Sequence, residues 1–358
     1  MKSDLAASRP GNLYIAVDVG GTTVKLGLYQ AAEQFRAEDG GYRCPELLDR
    51  AVIPTRIEDE GAEIVPDIVS AMQRLASAGS IPLADLAGVG IGVPGPVQPV
   101  NEKGFPIDGC VNLNWTGIHY IDREIQALCG VRRFSVMNDA NAAALGELYF
   151  GTDAPDSAPA SSAVMITIGT GIGGGIIQDG RVVPGFFGAA GEVGHMPVSP
   201  GGAFIQMLHE ANPGLLLKSD LEYYASASGI ARMAKAAVRA AAEGAPLPAS
   251  PFGEDWEPEA RNVFDAAKNG DALAIAVVDF FFETLGQGLA SIASVVDPQL
   301  FIIGGGVSAA GDYLLEGLQE SYRRQVFHAS RGAAFRLARL GNDAGLLGTL
   351  VPLLQDRV

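Results

Sequence analysis

Cysteine is scarce in this chain of 358 residues, which contains only Cys44, Cys110 and Cys129. Their number is odd and no two of them are closely spaced, which argues against a disulfide framework and against a four-cysteine zinc site. Disulfides persist in oxidising compartments, so their expected absence favours a reducing one.

Basic residues are also few, with 25 Lys and Arg against 41 Asp and Glu, for a net charge of −16. Nucleic-acid-binding proteins carry a basic face, and anionic membranes attract basic segments, so the composition argues against both partners. A phosphate ligand is not excluded, because backbone N–H groups and a metal ion can hold phosphate without many lysines.

Long apolar runs are missing too, since no window of about eighteen apolar residues occurs. Residues 1–12 contain no continuous apolar stretch, which predicts a disordered tail rather than a signal peptide. We therefore expect a soluble, cytoplasmic protein. The length predicts about two domains, and a hydrophobic content of 48% allows each a core.

Glycine, in contrast, is abundant at 46 residues and is clustered after apolar segments. Residues 14–19 lead into Gly20-Gly21-Thr22-Thr23, and residues 164–168 lead into a second run, Gly169 to Gly175. Each pattern predicts a strand, a glycine turn and a returning strand. Their separation of about 150 residues indicates two similar halves.

The remaining patterns predict alternating strands and helices, which favours an α/β fold. Further strands are predicted over 88–93, 134–137 and 300–303, and helices over 62–78, 121–128, 141–150, 229–242, 272–296 and 343–354. Residues 152–162 and the proline-rich segment 244–259 are predicted to be a loop and a surface insertion.

Gly169, Gly171 and Gly174 satisfy the dinucleotide-binding spacing G-x-G-x-x-G. That motif requires a helix directly afterwards, whereas Asp179-Gly180 between apolar residues predicts a hairpin. A Walker A motif fails because no Lys-Ser or Lys-Thr follows the glycines. Two interpretations stay open: backbone turns that approach a phosphate closely, or tight turns without a ligand. The paired clusters and Gly304-Gly305-Gly306 favour the first.

These residues carry a resemblance to a known family. The segment from Asp18 to Lys25, the run Gly169–Gly175 and the segment from Ile302 to Val307 resemble the two phosphate motifs and the adenosine motif of actin-like sugar kinases. More narrowly, Gly188-Ala-Ala-Gly-Glu-Val-Gly-His195 and Asn138-Asp139-Ala-Asn-Ala-Ala143 resemble the ROK family (repressor, open reading frame, kinase).

The resemblance implies two actin-like (ribonuclease H-like) α/β domains with an active-site cleft between them. The smaller N-terminal domain is expected to comprise 13–137 and about 343–358, and the larger C-terminal domain 138–342. ROK repressors carry a helix-turn-helix before this core, and because only about a dozen residues precede Tyr14, we do not expect the repressor function. The family also implies a homodimer.

The resemblance further implies roles for individual residues. Asp139 is expected to be the catalytic base, and Asp18 to orient magnesium with its waters. ATP is expected to contact Asp18, Gly20, Gly21, Thr22, Thr23, Lys25, Gly169, Thr170, Gly171, Gly173, Gly304, Gly305 and Gly306. The sugar is expected to contact Asn112, Asn138, Asp139, Glu192, His195 and Glu222.

Structural alternatives exist for several of these residues. From the residues alone, Asp139 or Asn138 is better explained as a helix N-cap, because Asx side chains favour that position, and only the resemblance favours Asp139 as the base. Lys25 is either a phosphate ligand or a solvated strand lysine. A lone histidine such as His195 is more often structural than functional. Asn114 is a weaker substitute for Asn112.

The chain departs from the family where many ROK kinases place cysteines that bind a structural zinc with the histidine of the Gly-His pair. Residues 202–221 contain no cysteine, and His195 and His209 cannot fill a tetrahedral site alone. We therefore predict no zinc, with Phe204, Ile205, Met207 and Leu208 fixing this loop instead. The spacing of 27 residues from His195 to Glu222 is longer than in the zinc-containing members that the family resemblance implies.

Together these features predict ATP- and magnesium-dependent phosphorylation of a hexose at its primary hydroxyl, with glucose favoured. A kinase for fructose, mannose or an N-acetylhexosamine is the alternative, and polyphosphate is a less favoured donor. A non-catalytic sugar-sensing protein is the alternative of another class. A nicotinamide-dependent oxidoreductase is a distant third.

Overall fold

A computed structural model describes residues 12–36, 41–77, 81–152, 160–216, 218–248, 250, 252–253 and 256–355. The predicted tail over 1–12 and the predicted loop over 152–162 fall largely outside the described residues, and the predicted insertion over 244–259 falls partly outside them. The chain divides into two compact units. Unit 1 comprises residues 1–161, 175–191 and 339–358, and unit 2 comprises 162–174 and 192–338.

The described residues form strands and helices in alternation, as the sequence predicts. The strands are β1 (Leu13–Val19), β2 (Thr23–Gln30), β3 (Glu46–Pro54), β4 (Gly88–Val93), β5 (Ile107–Cys110), β6 (Trp115–His119), β7 (Phe134–Asn138), β8 (Ala163–Ile168), β9 (Ile172–Gln178), β10 (Arg181–Val182), β11 (Leu300–Gly304) and β12 (Ala334–Leu337).

The helices interleave with these strands along the chain. They are α1 (Glu58–Gly61, a short turn), α2 (Ile64–Ser77), α3 (Ile121–Cys129), α4 (Asp139–Phe150), α5 (Ala203–Ala211), α6 (Leu221–Ala225), α7 (Ala227–Ala242), α8 (Ala260–Lys268), α9 (Ala272–Val296), α10 (Asp312–Gln325) and α11 (Ala344–Gln355).

The first sheet has the strand order β3-β2-β1-β4-β7. Strands β1 and β2 are antiparallel, and their register sets Asp18 opposite Lys25. Strand β4 runs parallel to both β1 and β7, so the carboxyl ends of these three strands lie at one edge of the sheet. That edge presents Asp18 at the end of β1 and Asn138 at the end of β7.

The second sheet repeats this arrangement in the order β10-β9-β8-β11-β12. Strand β8 is parallel to β11, and β11 is parallel to β12. The unit boundary falls within β9, after Gly174. Two glycine hairpins, β1–β2 and β8–β9, therefore occupy corresponding places in sheets of the same order, as the repeated sequence pattern predicts.

Helices α4 and α11 pack at glycine positions that admit no side chain. A Cβ at Gly146 would lie 2.0 Å from the Ala344 carbonyl oxygen, and a Cβ at Gly348 would lie 1.6 Å from that of Ala142. This close approach fixes α4 within unit 1. The contacts therefore group residues 138–161 with unit 1, whereas the sequence-based boundary assigns them to the larger domain.

Helix α9 is long and apolar enough to cross a membrane by length and composition, with a mean hydropathy of 1.4 over its best window. That window is 67% buried inside the protein. A buried core helix passes the same test, so this helix is weak evidence for a membrane span.

Candidate functional site

The first glycine turn joins β1 to β2 in unit 1. The backbone N–H of Gly20 donates to the Thr23 carbonyl at 3.0 Å, and the Thr55 hydroxyl donates to the Gly20 carbonyl at 2.6 Å. Gly21, Thr22 and Thr23 are exposed. The turn is thus held by hydrogen bonds at Gly20 and stays accessible at Gly21, Thr22 and Thr23, as a phosphate-binding turn requires.

Asp18 lies directly beside this turn and is paired with Lys25. The Lys25 Nζ lies 3.5 Å from the Asp18 Oδ2, and the two side chains are 37% and 22% exposed. A Cβ at Gly92 or Gly345 would come within 3.8 Å of the Asp18 carboxyl group. Small residues therefore leave room around a half-buried carboxylate, and Lys25 is engaged with that carboxylate.

Helix α4 begins at the end of β7, and Asn138 caps it. The Asn138 Oδ1 accepts hydrogen bonds from the backbone N–H groups of Ala140 at 2.9 Å and Asn141 at 3.2 Å. Its Nδ2 donates to the Gly95 carbonyl at 3.3 Å. Of the two residues that could cap this helix, Asn138 is the one that does so.

Asp139 occupies the first turn of α4, where the helix dipole favours an ionised carboxylate. Its Oδ1 accepts a hydrogen bond from the backbone N–H of Ala140 at 2.8 Å, and the side chain is half-buried. Burial raises the pKa of the nearby Cys110 thiol, and the charge of Asp139 adds to that effect. The predicted base therefore stands in the first turn of a helix whose N-cap is a different residue, Asn138.

Asn112 lies against the first glycine turn. A Cβ at Gly21 would meet the Asn112 carbonyl oxygen at 3.2 Å and its Cβ at 3.6 Å. The Asn112 side chain is exposed, whereas the Nδ2 of Asn114 donates to the Ile57 carbonyl at 3.3 Å. Asn112 is thus the better of the two candidates, because Asn114 has a structural partner.

The second glycine turn, in unit 2, joins β8 to β9. Gly169 donates to the Gly171 carbonyl at 2.9 Å, and the Gly169 carbonyl accepts from Ala227 N–H at 2.8 Å. After the turn the chain continues as β9 and returns through Asp179 and Gly180, both of positive φ, to β10. The hairpin predicted from Asp179-Gly180 is confirmed, which excludes the dinucleotide-binding interpretation.

Glu222 supports this second turn. Its Oε2 accepts a hydrogen bond from the Ile172 N–H at 2.8 Å, and a Cβ at Gly171 would lie 2.3 Å from the same oxygen. Glu192 and His195 are exposed and lie one 3-10 turn apart, with the His195 N–H donating to the Glu192 carbonyl. In such a turn, side chains three apart point the same way.

The third glycine cluster borders a cavity of about 460 Å³ in unit 2. Gly305, with φ of 82°, follows β11, and Gly306 starts a 3-10 turn that lines the cavity with Val307 and Ala310. The cavity is also lined by the N-cap of α8 and by residues within that helix, namely Glu259, Arg261, Phe264 and Asp265. The α8 residues were not predicted, because only the fold brings them to the glycines.

The six predicted sugar contacts are shared between the units. Asn112, Asn138 and Asp139 belong to unit 1, and Glu192, His195 and Glu222 belong to unit 2. Within unit 1 the turn at Gly21 lies next to Asn112, and within unit 2 the turn at Gly171 lies next to Glu222. Each unit thus brings a predicted sugar contact to a predicted phosphate turn.

Metal ligands are sparse among the described residues, which contain no group of three or more His, Cys, Asp or Glu side chains able to hold a metal. Magnesium bound with nucleotide needs only one or two carboxylates, because phosphates and water complete its octahedron. The half-buried carboxylate of Asp18 beside the first glycine turn fits that requirement.

Comparison with known families identifies the chain, because the family model described as "ROK family" matches residues 14–356. The chain belongs to the ROK family. A glucokinase from Halalkalibacterium halodurans is 38% identical over 342 residues, covering 94% of this chain and 93% of that protein.

Two solved ROK structures are also similar. A ROK family glucokinase from Streptomyces griseus in complex with glucose and AMPPNP is 31% identical, with a TM-score of 0.62, over 96% of this chain and 99% of that one. A ROK hexokinase from Thermus thermophilus is 29% identical, with a TM-score of 0.66, over 94% and 96%. The predicted family, the mixed α/β fold and the sugar-kinase class are confirmed.

Proposed function

We propose that this ROK protein transfers the γ-phosphoryl group of ATP to the primary hydroxyl of a hexose, and that glucose is its preferred acceptor. Support comes from the glucokinase of Halalkalibacterium halodurans, at 38% identity, and from the Streptomyces griseus relative described with glucose and AMPPNP. The observation that carries the proposal is the half-buried carboxylate of Asp139 in the first turn of α4, a helix whose N-cap is Asn138.

Asp139 acts as the general base. The hexose oxygen attacks the γ-phosphorus, the bond from that phosphorus to the β,γ-bridging oxygen breaks, and ADP leaves. An Asp139 carboxylate oxygen takes the proton of the attacking hydroxyl. Asn138 is the N-cap of α4 and accepts from the Ala140 and Asn141 N–H groups, so the N-cap does not account for Asp139, which supports a chemical role.

The nucleotide is bound by turns and a cavity. We propose that the glycine turns at Gly20–Thr23 and Gly169–Gly173 donate backbone N–H groups to the phosphates. The cavity beside Gly306 is large enough for a nucleoside, and its lining of Val307, Ala310 and Phe264 suits the apolar faces of a purine. Asp18 would hold magnesium with ATP, and the ion would neutralise charge on the phosphates.

Acceptor choice is proposed to depend on Asn112, Glu192, His195 and Glu222. Each sugar hydroxyl both donates and accepts a hydrogen bond, so the site needs donors and acceptors together. Fructose, mannose and N-acetylhexosamines are the alternative acceptors. Polyphosphate is the less favoured donor, since a net charge of −16 repels a long polyanion. The homodimer and the cytoplasmic location stay predictions.

The test is ADP release from magnesium ATP with a panel of hexoses, using wild type, Asp139→Asn and Asp312→Asn. Asp312 is a matched control because it also stands in the first turn of a helix, α10, and is exposed. We expect glucose-dependent ADP release in wild type and Asp312→Asn. In Asp139→Asn, kcat should fall at least about a hundredfold, the usual contribution of a general base.

The alternative of a sugar sensor gives a different result. In that case no hexose elicits ADP from wild type, while glucose still raises the melting temperature because ligands stabilise the state that binds them. If another hexose gives the highest rate of ADP release, the proposal of glucose as the preferred acceptor is wrong, while the proposal of a sugar kinase stands.

A further inference from the structure

The first glycine turn is held by two hydrogen bonds from a single residue, Thr55. The Thr55 hydroxyl donates to the Gly20 carbonyl at 2.6 Å, and the Thr55 backbone N–H donates to the Thr22 carbonyl at 2.9 Å. A third bond, from the Gly20 N–H to the Thr23 carbonyl, closes the turn on itself. Both bonds from Thr55 end on carbonyl oxygens, so neither occupies a backbone N–H group that a phosphate would need.

Strand register explains why Thr55 reaches the turn. Strands β2 and β3 are antiparallel, and Thr23 lies opposite Pro54, the last residue of β3. Thr55 therefore comes opposite Thr22, at the point where the turn begins. Proline has no backbone N–H, so the first N–H group that the chain offers after Ile53 is that of Thr55.

The residues that follow Thr55 are themselves fixed, as the support of a binding turn must be. The Arg56 guanidinium donates to both carboxylate oxygens of Asp67 in α2, at 2.7 Å each. The Ile57 carbonyl accepts a hydrogen bond from the Asn114 Nδ2 at 3.3 Å. Thr55 is thus attached to other elements of unit 1, so its two bonds can hold the turn rather than move with it.

We propose that Thr55 is a positioning residue for phosphate binding, and that its hydroxyl keeps the first glycine turn in the conformation that receives the phosphates of ATP. This role rests on the proposed function, because it supposes that the turn at Gly20–Thr23 binds phosphate. A turn that is already ordered loses little conformational entropy when a ligand binds, whereas a loosened turn has to be ordered at the expense of affinity. Thr55 acts through Gly20 and needs no contact with the nucleotide.

Three substitutions of Thr55 separate the hydroxyl from the rest of the side chain. Thr55→Val removes the hydroxyl at nearly constant shape, Thr55→Ala removes it by truncation, and Thr55→Ser keeps it. Calorimetric titration with magnesium ADP should give a Kd about fivefold higher in both hydroxyl-free variants, the effect of one neutral hydrogen bond. The Kd of Thr55→Ser should stay within about twofold of wild type. Because Thr55→Val and Thr55→Ala differ in bulk, the test stands if one of them fails to fold.

Two controls distinguish this role from a general loss of structure. Thr116→Val makes the same change at an exposed threonine of β6, and its Kd for magnesium ADP should equal that of wild type. The loop that contains Asn112 keeps its own bond, from Asn114 to the Ile57 carbonyl, in every Thr55 variant. The KM for the best hexose should therefore change by less than about twofold.

An unchanged Kd in the hydroxyl-free variants, an equal loss in Thr55→Ser, or a hexose KM that rises as much as the Kd would each overturn the proposal. If wild type bound no magnesium ADP, this proposal and the nucleotide part of the proposed function would both be wrong. Binding that depends on the Thr55 hydroxyl, together with no ADP release for any hexose, would contradict the kinase activity alone.

Discussion

The buried carboxylate of Glu147 accepts a hydrogen bond from the backbone N–H of Leu340 at 2.7 Å. It also accepts from the Arg339 N–H, at 2.9 Å to one oxygen and 3.0 Å to the other. Arg339 is where the chain re-enters unit 1 after unit 2. Helix α4, which begins with Asp139, therefore also anchors the segment that leads into α11.

Glu147→Gln tests this anchor. The substitution places an amide NH₂ among backbone donors, so the free energy of unfolding should fall by about 1–3 kcal/mol in urea titrations. Glu316→Gln, at an exposed position of α10, should change it by less than about 0.5 kcal/mol. Equal stability of both variants would mean that the buried carboxylate adds nothing to the anchor.

Two measurements distinguish the possible roles of Lys25: the free energy of unfolding and the KM for magnesium ATP. Its pair with Asp18 is partly exposed, so Lys25→Met should alter the free energy of unfolding by less than about 1 kcal/mol. If Lys25 also contacts phosphate, the KM for magnesium ATP should rise about tenfold or more, since a charge-assisted hydrogen bond contributes about 1.5–3 kcal/mol. Steady-state kinetics measures this KM, with Lys103→Met as the control because Lys103 is an exposed lysine. An unchanged KM in Lys25→Met would show that Lys25 has only a structural role.

The glycine turns and their flanking strands were predictable because their signals are local. Strand β4 and helix α9 match the predicted bounds, and α2 begins close enough to Pro66 for the proline to lie in its first turn. Helix α10 was missed, although Leu314, Leu318 and Tyr322 repeat at helical spacing on its buried face.

Other features depend on contacts between distant residues. The sequence could not decide whether Asn138 or Asp139 caps α4, because that depends on backbone angles at one residue. The cavity in unit 2 combines Ala227, the start of α8 and the turn at Gly306. No window of the sequence contains all three.

Within the cysteine-free segment, Ala203–Ala211 folds as helix α5, which packs through Ile205 and Leu208, at 3% and 1% exposure. Phe204 contacts the ring of Phe280 with centroids 5.5 Å apart. We expect metal analysis to find no stoichiometric zinc and chelators to leave the melting temperature unchanged.

The apolar packing of α5 predicts that the protein is sensitive to truncation of the side chains that α5 buries. Leu208→Ala should lower the free energy of unfolding by about 2–5 kcal/mol, whereas the exposed neighbour Gln206→Ala should have little effect. A stoichiometric zinc, or a Leu208→Ala variant as stable as wild type, would contradict this account.

Asp122 makes stability depend on pH. The carboxylate is 4% exposed, and burial raises its pKa above the usual 3.8, although the Phe105 N–H and Arg123 act against this. The folded state therefore binds the proton more tightly than the unfolded state, so this residue's contribution to stability falls as pH rises from 3.8 through the folded pKa.

Asp122→Asn does not titrate and keeps an oxygen for the Phe105 N–H. Relative to wild type, its free energy of unfolding should increase as pH rises through that window and level off above it. Urea titrations from acid to neutral pH measure this, with the exposed Glu102→Gln as control. A difference between Asp122→Asn and wild type that stays constant with pH would show that Asp122 has no raised pKa.

Gly171 and Glu222 provide the sharpest test of the second turn. An alanine Cβ at position 171 would lie 2.3 Å from the Glu222 Oε2, so the carboxylate must move and lose its bond to the Ile172 N–H. If Glu222 binds hexose, Gly171→Ala should raise the hexose KM about tenfold or more. A Cβ at Gly169 meets no atom within 4 Å, so Gly169→Ala should leave the KM for hexose unchanged. Because Gly169 belongs to the turn proposed to contact the phosphates, the same variant should raise the KM for ATP.

A double-mutant cycle then tests whether Gly171→Ala raises the hexose KM by displacing the Glu222 carboxylate. Once Glu222→Ala removes the carboxylate, an alanine at 171 has no carboxylate to displace, so the double variant should match Glu222→Ala alone in hexose KM. Additive losses would instead show that residue 171 acts on the substrate directly. Glu222 would then support the turn without holding the sugar.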